Sequence, residues 1–286
     1  MITSDFTGNF GNHIWQYAVT RAIAKKKNLE WGFTRYIYGD YFGGKDQMDF
    51  LDLDYGKPVE NIINIYEEKY KIYHHVDGVR IYLFDNFENL QDNTKLFGCW
   101  QSEKYFIDIK DEVKDWIQIK KNIDFNRVIL NDNTCVINVR GGEYIGLKPV
   151  LINQKYWDDS VAYIKSINSN VNFLVITDDV TYSRTLFPNF ECVHYSIAED
   201  YYAINKAKYL ILSNSSFAYF PAWLNTNAEV IIAPKYWARF NVSDGYWANS
   251  FIMTEGWTYM DREGNIQNYD QVIDELKNSK YKEYFF

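Results

Sequence analysis

Apolar runs of strand length recur through the second half of the chain, and each stops at polar residues, glycine or proline. They are Thr134–Val139 before Arg140-Gly141-Gly142, Val171–Thr177 before Asp178-Asp179, Tyr209–Ser213 before Asn214-Ser215-Ser216, and Glu229–Ala233 before Pro234. Stretches with helical spacing lie between them, over Gln154–Ile167, Glu199–Lys206 and Phe217–Leu224. Continuous apolar strands alternating with helices require a parallel sheet covered on both faces. Such sheets bind ligands at the carboxyl ends of their strands. Here those ends carry Arg-Gly-Gly, Asp-Asp and Asn-Ser-Ser. Core stability does not require polar groups to converge on one edge, so the pattern marks a pocket.

The first half is less regular. A helix is expected from about Asn12 to Lys27 and a strand over Leu29–Phe33. Short aromatic segments, broken by Gly and Asp, then run from Tyr36 to Asn93. Gly98–Phe106 leads into a polar amphipathic helix ending near Lys121, and Tyr269–Tyr284 reads as a terminal helix. Before the first helix comes Gly8-Asn9-Phe10-Gly11-Asn12. A glycine-rich turn that opens a helix leaves N–H groups unpaired at the positive end of the helix dipole, which suits a phosphate. The same spacing also occurs in ordinary turns.

A length of 286 residues fits one large domain or two of medium size. The net charge of −8 argues against a general nucleic-acid binder, yet leaves room for a small phosphate pocket. Aromatic residues reach 19%, enough to build a ring-rich core and to supply stacking surfaces for sugars or bases. Cys99, Cys135 and Cys192 are widely spaced and odd in number, which suits free thiols in a reducing compartment. No Cys-x-x-Cys pair suggests zinc. The start Met1-Ile2-Thr3-Ser4-Asp5 lacks the basic and apolar regions of a signal peptide, and no run approaches a membrane span. The expectation is a cytoplasmic protein.

Arg140 follows a strand, with Gly141 and Gly142 letting a ligand approach the backbone. A guanidinium binds phosphate bidentately and stays charged at any working pH. Ser215 and Ser216 add hydroxyls and helix-start N–H donors, so with the Gly8–Asn12 turn they suit a diphosphate. Asp178 and Asp179 either accept from a base or ribose, or cap a helix. Glu143 is a candidate general base or a solvated loop carboxylate. His13 could neutralise phosphate or bind an acceptor hydroxyl, and could equally pack or cap. Asp52-Leu53-Asp54 has the spacing of a metal-binding acidic pair but follows no clear strand, so it reads as surface. The neighbouring His74 and His75 should diverge on a strand, which makes a metal site improbable. The pattern lacks the Gly-x-x-x-x-Gly-Lys-Ser/Thr loop of ATP hydrolases.

Taken in order, these segments resemble the alpha-1,2-fucosyltransferases (glycosyltransferase family 11) and their bacterial polysaccharide-synthesis relatives. The similar segments are Gly8–Tyr17, Gly98–Phe106, Asn138–Tyr144, Thr177–Asp179 and Asn214–Asn225, the last being the most specific. Asn138, Gly141 and Glu143 stand where the family carries His, Arg and Asp. The resemblance implies an α/β fold of GT-B type, two Rossmann-like lobes with a nucleotide-sugar cleft between them. It implies an acceptor-side lobe over 1–125, a nucleotide-sugar lobe over 126–265, and a terminal helix over 266–286 that packs back on the first lobe. It further implies inverting transfer of a sugar, L-fucose from GDP-fucose in alpha-1,2 linkage, to a glycan hydroxyl. No cofactor or metal is implied beyond the donor, and a lipid-linked acceptor would bring the protein to the inner face of the membrane. By the same resemblance Arg140 holds the pyrophosphate with Asn214, Ser215 and Ser216, and Asp178 faces the nucleoside. Gly11 and Asn12 approach the donor, while Arg140, Glu143 and His13 are the catalytic candidates. Three alternatives stay open: a transferase for another nucleotide sugar, a carbohydrate-binding protein that kept the fold without the chemistry, and, more weakly, a metal-dependent transferase using Asp52 and Asp54.

Overall fold

The computed structural model describes residues 1–33, 47–72, 80–146, 151–235, 253–278 and 282. The chain divides into two compact units, Met1–Asp124 and Phe125–Phe286.

In the first unit β1 (Ile2–Ser4) leads through the Gly8 turn into α1 (Phe10–Lys26), followed by β2 (Asn64–Glu67), the β3 (Tyr70–Ile72) and β4 (Arg80–Tyr82) pair, β5 (Thr94–Phe97) and α2 (Lys110–Trp116). The strands β1, β5 and β2 form a parallel sheet in that order, and β3 pairs with β4 antiparallel. Expected strand Leu29–Phe33 is reduced to isolated bridges at Trp31 and Gly32. The helix α1 is buried along most of its length, so it acts as the spine of this unit. Rings fill the space around it. Phe33 stacks on Phe6 and Tyr17 at centroid distances of 5.0 and 5.4 Å. The Arg21 guanidinium lies between Trp31 and Trp116, 4.7 and 4.2 Å from their centroids. Such cation–π packing gives a half-buried charge a partner without a carboxylate. Most of the described aromatic residues of this unit are buried in the core.

The second unit alternates strand and helix: β6 (Thr134–Val139), α3 (Gln154–Ile167), β7 (Asn172–Thr177), α4 (Val180–Leu186), β8 (Glu191–Val193), α5 (Ile197–Lys206), β9 (Tyr209–Ile211), α6 (Ser216–Trp223) and β10 (Val230–Pro234). Then come β11 (Thr258–Met260), β12 (Ile266–Asn268) and α7 (Tyr269–Asn278). The sheet has seven strands in the order β12-β11-β10-β9-β6-β7-β8, parallel except for β12. Every residue of β6 is buried, as a central strand covered on both faces demands. Cys135, Ile137 and Val139 pack with Tyr156, Trp157 and Ile164 of α3 in one apolar cluster. Burial pushes the Cys135 thiol up, which leaves it an inert core group. Segment 266–286, set apart in the sequence, contributes β12 to this sheet, and Val272 and Leu276 of α7 are buried. Glu275 of α7 pairs with Lys235 at 2.9 Å.

From β6 the chain steps outward to β7 and β8, then returns to the other side of β6 and steps outward through β9, β10 and β11. The direction of winding reverses between β6 and β9. In open α/β sheets this reversal opens a crevice at the carboxyl ends of the strands, because the flanking connections leave on opposite faces.

Candidate active site

The β6 end of that crevice is formed by Arg140-Gly141-Gly142, which enters a short 3-10 turn over Gly142–Gly146. The Arg140 guanidinium is 2.6 Å from Asp178 and 3.2 Å from Glu143, and it lies 5.4 Å from the Tyr144 ring centroid. Its side chain keeps 22% of its surface exposed, against 65% for Glu143. The other Asp178 oxygen accepts the Gly141 N–H at 2.7 Å. Asp178 therefore orients both the charge and the backbone of this turn. The glycines are needed for close approach: a Cβ on Gly141 would lie 2.8 Å from the Asp179 Cβ, and one on Gly142, at φ +43°, would lie 2.8 Å from the Asp178 carboxylate. Asp179 caps α4 by accepting the Tyr182 N–H at 2.9 Å. Of the two readings for this acidic pair, Asp179 has the capping geometry.

On the β9 side, Ser213 donates to the Asn138 side-chain oxygen at 2.7 Å, bridging the two strands where the winding reverses. Asn138 stands where the resembled family has His, and here it is buried and hydrogen-bonded. Asn214 and Ser215 are buried at 5% and 6% exposure, and Ser215 caps α6 by accepting the Phe217 N–H at 3.3 Å. Ser216 is half-buried in the first turn of α6. Helix N-terminus, hydroxyl and guanidinium thus share one strand-end edge, which is a chemistry suited to an anion.

At β8 the same edge carries a feature that sequence reading missed. His194 Nδ1 lies 2.7 Å from Asp200 Oδ2, and Asp200 Oδ1 accepts the Tyr195 N–H at 3.1 Å. Burial pushes the Asp200 carboxyl up to about 6, while the Tyr195 N–H and His194 pull it back. Arg127 grips Glu199 through paired bonds of 2.7 and 2.6 Å, and holds that carboxyl down at about 2. Ser196 and Glu199 complete a capping box at the start of α5.

In the first unit, Gly8 at φ +77° turns the chain into α1. Asn12 accepts from Gln101 Nε2 at 2.7 Å, so the turns after β1 and β5 are tied together. Gly11 is buried. His13 is fully buried, with Nε2 2.9 Å from the Gly8 carbonyl and its ring 5.6 Å from Phe6. That is a packing and turn-holding position, out of reach of solvent. The Asp52 and Asp54 side chains are exposed, and Asp54 Oδ1 accepts the Gly56 N–H at 2.9 Å as in an ordinary Asx turn. His74 and His75 lie outside the described residues. Among the described residues there is no cluster of three or more His, Cys, Asp or Glu side chains that could hold a metal ion. No described helix is long and apolar enough to cross a membrane.

A seven-stranded sheet with a polar, cationic switch point defines an α/β protein whose strand-end edge suits an anionic ligand. Comparison with known proteins sharpens this. The family model of glycosyl transferase family 11 matches residues 1–261, and the chain belongs to that family, so it is a glycosyltransferase. An alpha-1,2-colitosyltransferase of Escherichia coli is 25% identical over 273 residues, covering 83% of this chain and 92% of the relative. The O-antigen biosynthesis glycosyltransferase WbnK of Escherichia coli is 23% identical, covering 87% and 99%. Among solved structures, fucosyltransferase NodZ from Bradyrhizobium is 13% identical with a TM-score of 0.47, covering 80% of this chain and 94% of that one.

Proposed function

We propose that the chain transfers L-fucose from GDP-fucose, in alpha-1,2 linkage and with inversion, to a hydroxyl of a growing surface glycan. The observation that carries this reading is the Arg140-Gly141-Gly142 turn at the β6–β9 switch point, beside the Ser215 cap. In this reading the acceptor oxygen attacks the anomeric carbon as the carbon–oxygen bond to the diphosphate breaks. Negative charge builds on the departing phosphate oxygen, and Arg140 with the α6 N-terminus stabilises it. Asn214, Ser215 and Ser216 bind the pyrophosphate alongside it. Asp178 keeps the guanidinium aimed through its 2.6 Å contact, and facing the nucleoside is its second role. Glu143 is the most exposed carboxylate at this turn, and it takes the acceptor proton. Gly11 and Asn12 are assigned to donor contact, and His13 to packing. No metal takes part. The reaction is placed in the cytoplasm, either free or at the inner membrane face on a lipid-linked acceptor.

The similarity to an alpha-1,2-colitosyltransferase favours a second reading, in which the transferred group is colitosyl. Incubation of the protein with a glycan acceptor and, separately, GDP-fucose, a colitosyl donor or UDP-hexoses decides between them. The expected result is acceptor-dependent GDP release with the fucosyl donor and an alpha-1,2 product by NMR. Turnover with the colitosyl donor alone selects the second reading. Glycan binding with no turnover of any GDP- or UDP-sugar contradicts both and leaves a binding protein.

A further inference from the structure

Glu68 follows the last residue of β2 and is only 8% exposed. Its backbone N–H extends the sheet onto the Phe97 carbonyl at 2.9 Å, which delivers the side chain to the place where β5 ends. There the carboxylate accepts the Cys99 N–H at 2.8 Å and the Trp100 N–H at 3.1 Å from each oxygen. The fit leaves no room for a side chain at position 98: a Cβ on Gly98 would lie 2.5 Å from the Glu68 Cβ. Trp100 sits at φ +55° with no exposed surface, a backbone region that bulky residues rarely enter without being held there.

The strained turn then reaches the start of α1. Gln101 donates to Asn12 at 2.7 Å. Gln16 donates to the Gly98 carbonyl at 2.9 Å and exchanges two bonds with Thr7, at 2.9 and 3.0 Å. The short Gly98–Gln101 backbone thus joins the bonds to the carboxylate with those to Asn12 and to Gln16, which is bonded to Thr7 before the Gly8 turn.

We propose that Glu68 is a positioning residue for sugar transfer: its buried carboxylate holds the Gly98–Gln101 turn in the shape that fixes Asn12. This rests on the reading in which Asn12 contacts the donor. The ionised carboxylate accepts two N–H groups, whereas protonation turns one oxygen into a donor facing them. Burial pushes this carboxyl up to about 7, and the Trp100 and Cys99 N–H groups pull it down. Titratable residues beside it include Cys99, whose N–H it accepts, and Tyr105, which also interacts with Tyr66 and Asp85; Asp85 is paired with Lys69 at 2.7 Å. Asp85 is held below the ordinary range by Lys69, the Phe87 N–H and Tyr66 against its own burial, so it stays charged while Glu68 titrates. The holding contact therefore strengthens as pH rises through neutrality.

The test uses the full chain with GDP-fucose and a glycan acceptor, beside NMR of the nitrogen-15-labelled protein without substrate. In the wild type, the Cys99 and Trp100 amides are expected to titrate with one midpoint near neutrality, and kcat to rise through that midpoint. In Glu68→Gln both changes vanish and kcat falls about 10- to 100-fold, the cost of a small misplacement. Wild-type amides that do not titrate overturn the proposal, as does Glu68→Gln with an unaltered kcat profile. If Glu68→Gln fails to fold, the wild-type titration decides alone. If GDP-fucose is not turned over, the transfer reading fails separately. The Asn12 and Gln101 side-chain amides then decide: a shift in Glu68→Gln supports the holding role, and unchanged signals overturn it.

Discussion

Arg140 and Glu68 show two ways in which a charged residue is held at a strand end. Arg140 stays partly exposed and is balanced by Asp178 and Glu143, so its charge is retained and can be redirected to an anion. Glu68 is buried and its carboxylate is met by backbone N–H groups, so burial sets its titration. The folded carboxyl titrates near 7 and an unfolded one near 4.5. The extra proton affinity of the fold adds stability that is full below the unfolded value and is lost as pH rises through the folded one. The neutral Gln variant has no such loss. Denaturant unfolding of wild type and Glu68→Gln at about pH 4 and about pH 8 should therefore show the variant gaining about 3 kcal/mol relative to wild type. A difference that does not change with pH contradicts the burial account.

At the scale of elements, the regular half of the fold was readable because its strands are long and apolar. The runs at Thr134–Val139 and Asn172–Thr177 are the two longest strands of the second sheet, and both are predicted nearly to the residue. By contrast β8, β11 and β12 span three residues each with mixed polarity, too short for a period to show. The sheet of the first unit was invisible for another reason: β1 pairs with β5 some 92 residues away, so its partner cannot be inferred locally. The site divides similarly. Arg140, Ser215 and the glycines lie in one turn each and announce themselves. Glu68 follows Glu67 of a short strand with no local motif, and the contacts that hold its carboxylate come from 31 and 32 residues away. In the proposed reading, the β6 turn is the element on which the reaction depends. Gly142→Ala places a side chain at φ +43° and 2.8 Å from Asp178. Unfolding measurements should show a loss of about 1 kcal/mol or more, with a larger proportional loss of transfer rate. Unchanged transfer would show that the Asp178–Arg140 contact is dispensable.

Over the whole molecule, two compact units each carry a parallel sheet with polar turns at its carboxyl edge. In the second unit that edge coincides with the reversal of winding, and the guanidinium, the serine cap and the α6 N-terminus all lie along it. The central claim is that this edge binds the diphosphate of the donor through Arg140. Calorimetric titration of GDP into wild type and Arg140→Ala, at equal ionic strength, tests it most directly. The account predicts a single site in the wild type and an affinity loss on the order of 100-fold in the variant, as expected when one partner of a desolvated charge pair is removed. Equal GDP affinity in the two proteins would contradict it.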